Sequence, residues 1–103
     1  MPENFVKVSD LDQLPAGKML CVQARGYRIL IANVDGTVYA VDDLCTHEDA
    51  SLTTGSLQGH CVKCPLHGSR FDLKTGEPLE EPAEEKLNTY DVRIEDNAIL
   101  IAL

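Results

Sequence analysis

Two cysteine–histidine pairs near the middle of the chain most constrain what this sequence can fold into. Cys45 and His47 stand as C-x-H, and after a gap of sixteen residues Cys64 and His67 stand as C-x-x-H. Thiolate and imidazole groups are ligands of soft and borderline metals in proteins. Two such pairs on successive loops could converge on one centre. The spacing of the pairs therefore predicts a fold that brings two loops together.

Short apolar or alternating runs surround these pairs, without helical periodicity. Strands are predicted at FVKV, MLCVQA, YRILIA and TVYAV before the pairs, and at LNTYDVRI and ILIAL after them. Tight turns are predicted at RG between the second and third runs, at NVDG and at EDNA, and a short helical turn at SDLDQLP. Short strands joined by small turns are typical of an antiparallel sheet.

The strand pattern breaks between the two halves of this scaffold. Over about forty residues, Gly, Thr, Asp and Ser become frequent, and only HCVKC and SRFDL have the pattern of strands. Loops held by a rigid sheet often carry the functional groups of a protein. The function is therefore expected in this insert, which contains both cysteine–histidine pairs.

Composition excludes several classes of protein. The 103 residues carry 17 acidic and 9 basic side chains, for a formal net charge of −8. Nucleic acid and anionic lipid both favour a basic surface, so neither partner is expected. The sequence has no signal-like N-terminus and no apolar run of about 18 residues, so a cytoplasmic protein is expected. In that compartment four cysteines indicate metal ligands or buried thiols rather than disulfides.

The segments CTH and CPLHGSRFDLKTGEP, with the gap between them, resemble the Rieske [2Fe–2S] signature. The resemblance covers nearly the whole chain, which is similar to the small ferredoxins of aromatic-ring-hydroxylating dioxygenase systems. It implies an all-β fold, a Rieske-type antiparallel β-sandwich, as a single domain over residues 1–103. The base sandwich is expected in about 1–41 and 83–103, and the inserted cluster-binding subdomain in about 42–82.

The resemblance also implies a cofactor, one [2Fe–2S] cluster per chain. Cys45 and Cys64 would bind one iron, and His47 and His67 the other. Replacing two thiolates by neutral imidazoles makes a cluster less negative and easier to reduce. Rieske centres accordingly span roughly −150 to +300 mV, against about −400 mV for plant-type clusters.

Residues beside the ligands indicate where in that range this protein falls. Ala50 and Leu66 stand where high-potential respiratory Rieske proteins have an additional pair of cysteines, so that disulfide is absent. Phe71 stands where those proteins place a tyrosine hydroxyl, whereas Ser69 matches the family's serine, whose hydroxyl can donate to a bridging sulfide. Pro82 matches the proline of a third segment covering the cluster. The missing disulfide and the loss of one of the two hydrogen-bond donors predict a potential in the lower part of the Rieske range.

The resemblance implies an electron carrier rather than an enzyme. The donor would be a flavoprotein NAD(P)H-dependent reductase and the acceptor a terminal Rieske non-haem iron oxygenase of aromatic hydrocarbon catabolism, with the carrier itself a monomer. Only His60 remains beyond the proposed ligands, too few histidines for an oxygenase iron site. Two alternatives stay open: a Rieske-type small subunit of an assimilatory nitrite reductase, and a structural zinc module that uses Cys61 and Cys64 with Cys45 and a histidine.

Overall fold

The regular structure of the chain is almost entirely β. The structure, a computed structural model, describes residues 4–45, 50–65, 68–79 and 85–103. Short 3₁₀ turns occur at Leu11–Gln13 and Leu52–Thr54, and the described ranges contain no α-helix. No helix in these ranges is long and apolar enough to cross a membrane. The strands are β1 (Phe5–Asp10), β2 (Met19–Ala24), β3 (Tyr27–Val34), β4 (Thr37–Asp42), β5 (Ser56–Gln58), β6 (Cys61–Lys63), β7 (Arg70–Asp72), β8 (Thr89–Tyr90), β9 (Val92–Glu95) and β10 (Ala98–Ala102).

These strands form three antiparallel sheets. The first has the order β1-β10-β9, the second β2-β3-β4-β8 and the third β5-β6-β7. The prediction of an all-β antiparallel fold is confirmed. The third sheet lies wholly within the segment that contains both cysteine–histidine pairs, and the other two sheets are built from strands on either side of it.

Strand β3 lies between two apolar cores, which explains why its sequence is apolar without a polar alternation. Ile29 and Ile31 pack with Ile99 and Ile101 of the first sheet in one core. Leu30, on the opposite face of β3 by strand alternation, belongs to a second core formed largely by residues of the third sheet and its loops. The strand therefore holds the insert against the sandwich.

Two of the predicted turns have the backbone conformation that tight hairpins require. Arg25 and Gly26 have φ of 52° and 84°, and Asp35 and Gly36 have φ of 53° and 94°. Positive φ at both central residues is characteristic of the type I′ turn, whose twist matches that of the flanking strands. These turns fix the registers of β2 with β3 and of β3 with β4.

The prediction of a single strand over LNTYDVRI is wrong. Tyr90 pairs with Ala40 in the second sheet, whereas Val92 pairs with Ile101 in the first. The exposed residue Asp91 separates the two short strands, and the chain crosses from one sheet to the other there. The strand β5 was also not predicted. It is only three residues long and forms a hairpin with β6.

Candidate metal centre

The two cysteines of the cysteine–histidine pairs occupy equivalent places at the starts of two loops. The Cys45 N–H donates to the Ala50 carbonyl at 3.0 Å, and the Cys64 N–H donates to the Ser69 carbonyl at 2.8 Å. Each bond joins a cysteine to the fifth residue after it. Both loops are therefore closed at the same length by the same backbone contact.

Antiparallel pairing continues one residue outside each loop. Leu44 forms a β-bridge with Ser51, and Lys63 pairs with Arg70 in the β6–β7 hairpin. Each cysteine thus lies at the end of a pair of antiparallel segments that flank its loop. His47 and His67 belong to these loops in the sequence, but both lie outside the described residues, as do Leu66 and Pro82.

The thiols of Cys45 and Cys64 are buried in one apolar core. Cys45 is 5% and Cys64 is 1% exposed, and both belong to the core cluster that includes Leu52, Val62 and Phe71. No disulfide joins any of the four cysteines of the chain, all of which lie in the described ranges. Cys21 and Cys61 are half-buried and belong to neither core cluster. The fold therefore separates the four cysteines into a buried pair and a half-buried pair.

The chemistry of these two positions fits an iron–sulfur cluster. A thiolate in apolar surroundings is unfavourable unless a metal ion compensates its charge, and two buried thiolates are the protein ligands of one iron in a Rieske cluster. Among the residues that the structure describes, no group of three or more histidine, cysteine or acidic side chains could hold a metal ion. Only two of the four predicted ligands fall within those residues, so the complete ligand set stays a prediction.

Ser69 and Phe71 are both fully buried at the second loop. The backbone carbonyl of Ser69 closes that loop, and Phe71 packs in the same core as the two cysteines. Ala50, whose carbonyl closes the first loop, packs against that core and is partly buried. These residues therefore lie in or next to the two cysteine loops, whereas their contact with a cluster and their effects on its potential stay predictions.

One residue at the site was missed by the sequence reasoning. Asp43, two positions before Cys45, is fully buried. Its carboxylate accepts hydrogen bonds from the Ser51 hydroxyl at 2.6 Å, from the Thr53 N–H at 3.0 Å and from the Thr53 hydroxyl. The Arg28 guanidinium lies 3.1 Å from the same carboxylate.

Burial and hydrogen bonding act in opposite directions on the Asp43 carboxyl. Burial by itself raises the pKa, but the donors on Ser51, Thr53 and Cys21 lower it, and the net pKa is below its ordinary value. Asp43 is therefore an anion inside the fold. The sequence signal was the pair of acids in VDDLC at the end of an apolar strand, but that pattern does not tell which of the two is buried.

The same environment acts on Cys21, whose side chain interacts with both Asp43 and Arg28. Burial and the neighbouring negative charge of Asp43 raise the pKa of the Cys21 thiol, and the Arg28 guanidinium opposes them. These interactions therefore favour the neutral thiol of Cys21.

The fold, the loops and the buried thiols agree with a comparison against protein families. The model of the Rieske [2Fe–2S] domain matches residues 4–91. The chain belongs to the Rieske [2Fe–2S] family. A domain of this family binds a [2Fe–2S] cluster, so membership favours iron over the zinc alternative.

The similarity to individual proteins of known role extends over nearly the full length of the chain. The ferredoxin component of the naphthalene 1,2-dioxygenase/salicylate 5-hydroxylase systems of a Ralstonia species is 37% identical over 103 residues, which are 100% of this chain and 99% of that protein. The solved ferredoxin of carbazole 1,9a-dioxygenase from Nocardioides aromaticivorans IC177 is 34% identical, with a TM-score of 0.92 over 96% of this chain and 97% of its own. A chain in the complex of reduced oxygenase and oxidized ferredoxin in carbazole 1,9a-dioxygenase is 29% identical, with a TM-score of 0.91 over 98% of this chain and 94% of its own. The predicted Rieske-type ferredoxin fold is confirmed.

Proposed function

We propose that this protein is the ferredoxin component of a multicomponent aromatic-ring-hydroxylating dioxygenase system. It accepts electrons from a flavoprotein NAD(P)H-dependent reductase and delivers them to a terminal Rieske non-haem iron oxygenase. The observation that carries the proposal is the full-length match to ferredoxin components of such systems, together with two matching loops that each begin at a buried cysteine. The oxygenase as acceptor is supported by the solved complex in which a related chain accompanies an oxygenase.

Four residues are proposed to hold one [2Fe–2S] cluster per chain, Cys45 and Cys64 on one iron and His47 and His67 on the other. When bound, the cluster supplies one-electron redox chemistry. The chain buries the two thiolates among apolar side chains. It closes each ligand loop with an equivalent backbone hydrogen bond, from the cysteine N–H to the carbonyl of the fifth residue after it. The cluster-binding subdomain is proposed to span about residues 42–82, and the protein to be a cytoplasmic monomer.

Partner docking is proposed at the end of the molecule that carries the two loops. Leu44, next to Cys45, is 42% exposed, and Leu79, whose N–H donates to the Arg70 carbonyl, is 47% exposed. Exposed apolar side chains close to a redox site are suited to the small, short-lived contacts of electron-transfer complexes. The net charge of −8 favours partners with basic docking surfaces.

Reconstitution tests this function. In a mixture of a flavoprotein reductase, a ring-hydroxylating oxygenase and NADH, turnover of an aromatic substrate is expected to require this protein. Because opposite charges steer the encounter, the rate of oxygenase reduction is expected to fall as ionic strength rises from about 0.01 to 0.15 M. Substrate turnover at the same rate without this protein would contradict the proposal. Co-elution with a large reductase subunit from native extract would instead support the nitrite reductase alternative.

The reduction potential is expected in the lower part of the Rieske range, and Ser69→Ala is expected to lower it further. Ser69 is buried at the second loop, and its hydroxyl is proposed to stabilise the reduced, more negative cluster. Loss of one hydrogen bond of about 1 kcal/mol corresponds to about 40 mV for one electron. Voltammetry of both proteins measures the difference, with Ser56→Ala at an exposed position of β5 as the control. A strongly positive wild-type potential would contradict this prediction and indicate a respiratory-type partner.

A further inference from the structure

Asp43 lies at the entry of the first ligand loop and binds the residues at its exit. It precedes the Leu44–Ser51 bridge, which closes the loop that begins at Cys45. On the other side of the loop, the Asp43 carbonyl accepts a hydrogen bond from the Leu52 N–H at 2.7 Å, and the Asp43 carboxylate binds Ser51 and Thr53. A single residue therefore fixes three consecutive residues where the chain leaves the loop.

Asp43 also joins this loop to the central strand of the fold. Its N–H donates to the Arg28 carbonyl at 3.1 Å, and its carboxylate faces the Arg28 guanidinium at the same distance. The guanidinium is 45% exposed, whereas the carboxylate is completely buried. Since β3 packs against both cores, the first ligand loop is held through Asp43 to the most buried strand of the protein.

Stability alone is a weak reason for a buried charge at this position. Removing a carboxylate from water is costly, and apolar side chains of similar volume often stabilise a core as well as or better than an ion pair. A buried charge is effective, however, on a neighbouring group whose own charge changes. Reduction adds one negative charge to a cluster, so a nearby carboxylate opposes reduction and a nearby guanidinium favours it.

We propose that Asp43 is a positioning residue for the cluster, which holds the first ligand loop through Ser51 and Thr53 and lowers the reduction potential through its buried charge, with Arg28 opposing that charge. This rests on the proposed function only in assigning Cys45 as a cluster ligand. Asp43 is neither one of the four proposed ligands nor one of the second-loop residues Ser69 and Phe71.

Two substitutions of opposite charge effect distinguish this role from a merely structural one. Asp43→Asn keeps an oxygen that accepts from Ser51 and Thr53 but removes the negative charge, so the reduction potential is expected to rise. Arg28→Gln leaves the carboxylate without its counter-charge, so the potential is expected to fall. Loosening of the loop alone would not shift the reduction potentials of the two variants in opposite directions. Voltammetry of the cluster-loaded proteins measures both shifts.

Asp96→Asn is the matched control. Asp96 lies at the exposed turn between β9 and β10 with φ of 56°, a conformation that asparagine adopts readily. The Asp96→Asn variant loses one negative charge, as Asp43→Asn does, and its reduction potential is expected to equal that of the wild type. Equal potentials in the wild type, Asp43→Asn and Arg28→Gln, or shifts of the same sign in the two variants, would overturn the proposal.

The positioning part of the proposal has its own measurement. Asp43→Ala removes the acceptor, so the Thr53 amide is expected to exchange faster with deuterium, and iron is expected to pass to a chelator about ten- to a hundredfold faster. Asp43→Asn is expected to restore most of the wild-type retention. Iron retention in Asp43→Ala equal to that of the wild type would overturn this part. If Asp43→Ala does not fold, the Asp43→Asn and Arg28→Gln potentials still decide. A wild type that binds no iron would instead refute the proposed function.

Discussion

Cys64→Ala and Cys45→Ala are each expected to abolish cluster binding, so that iron falls from two atoms per chain to nearly none. Both thiols are buried at the starts of the two closed loops, and an alanine there provides no ligand for iron. The visible absorption and the paramagnetic signal of the reduced cluster are expected to disappear with the iron. Metal analysis and absorption spectroscopy of the purified variants measure the loss, and circular dichroism reports whether the β-fold persists.

The remaining two cysteines provide the matched controls. Cys61 lies on β6, three residues before Cys64, and is half-buried, while Cys21 lies on β2. Cys61→Ala and Cys21→Ala are expected to retain about two iron atoms per chain. Loss of iron in Cys61→Ala, with retention in Cys45→Ala, would contradict the proposed ligand set. Stoichiometric zinc in the wild type would support the structural zinc module instead.

Candidate ligands could be proposed from the sequence because their chemistry is local in the sequence. Thiolates and imidazoles at short spacings identify a metal-binding loop whatever the surrounding fold, and the resemblance supplied how the two loops combine. Burial of Cys45 and Cys64 agrees with this prediction, as does the half-buried state of Cys61. The most apolar run, YRILIA, was also predicted correctly as a strand, since no helical periodicity competes with it.

The features that escaped prediction depend on contacts between distant segments. The division of LNTYDVRI between two sheets depends on which neighbours accept its hydrogen bonds, and alternation of side chains is the same in either sheet. The burial of Asp43 depends on Arg28, fifteen residues away, and on Ser51, eight residues away. An acidic side chain is normally exposed, so only the folded partners show that this carboxylate is inside.

Gly55→Ala is expected to destabilise the third sheet by about 3 kcal/mol and to weaken cluster binding with it. Gly55 follows the 3₁₀ turn at Leu52–Thr54, and a Cβ added there would lie 1.9 Å from the Lys63 carbonyl oxygen. That atom belongs to the backbone of β6, one residue before Cys64, so a methyl group at position 55 must push apart the segments that carry the two loops. Urea unfolding is expected to show a midpoint about 2 M lower, for a slope of roughly 1.5 kcal/mol/M.

Gly59→Ala in the β5–β6 turn of the same sheet is the control that isolates the close approach. Gly59 has φ of 58° and no atom within 4 Å of an added Cβ, so alanine there meets only the cost of a left-handed conformation, about 1 kcal/mol. Gly55 has a negative φ of −84°, so its larger expected effect comes from the close approach to the Lys63 carbonyl and not from a left-handed backbone. Equal destabilisation in the two variants would show that backbone conformation, rather than the packing of the Gly55 backbone against β6, controls the stability of the sheet that carries Cys64.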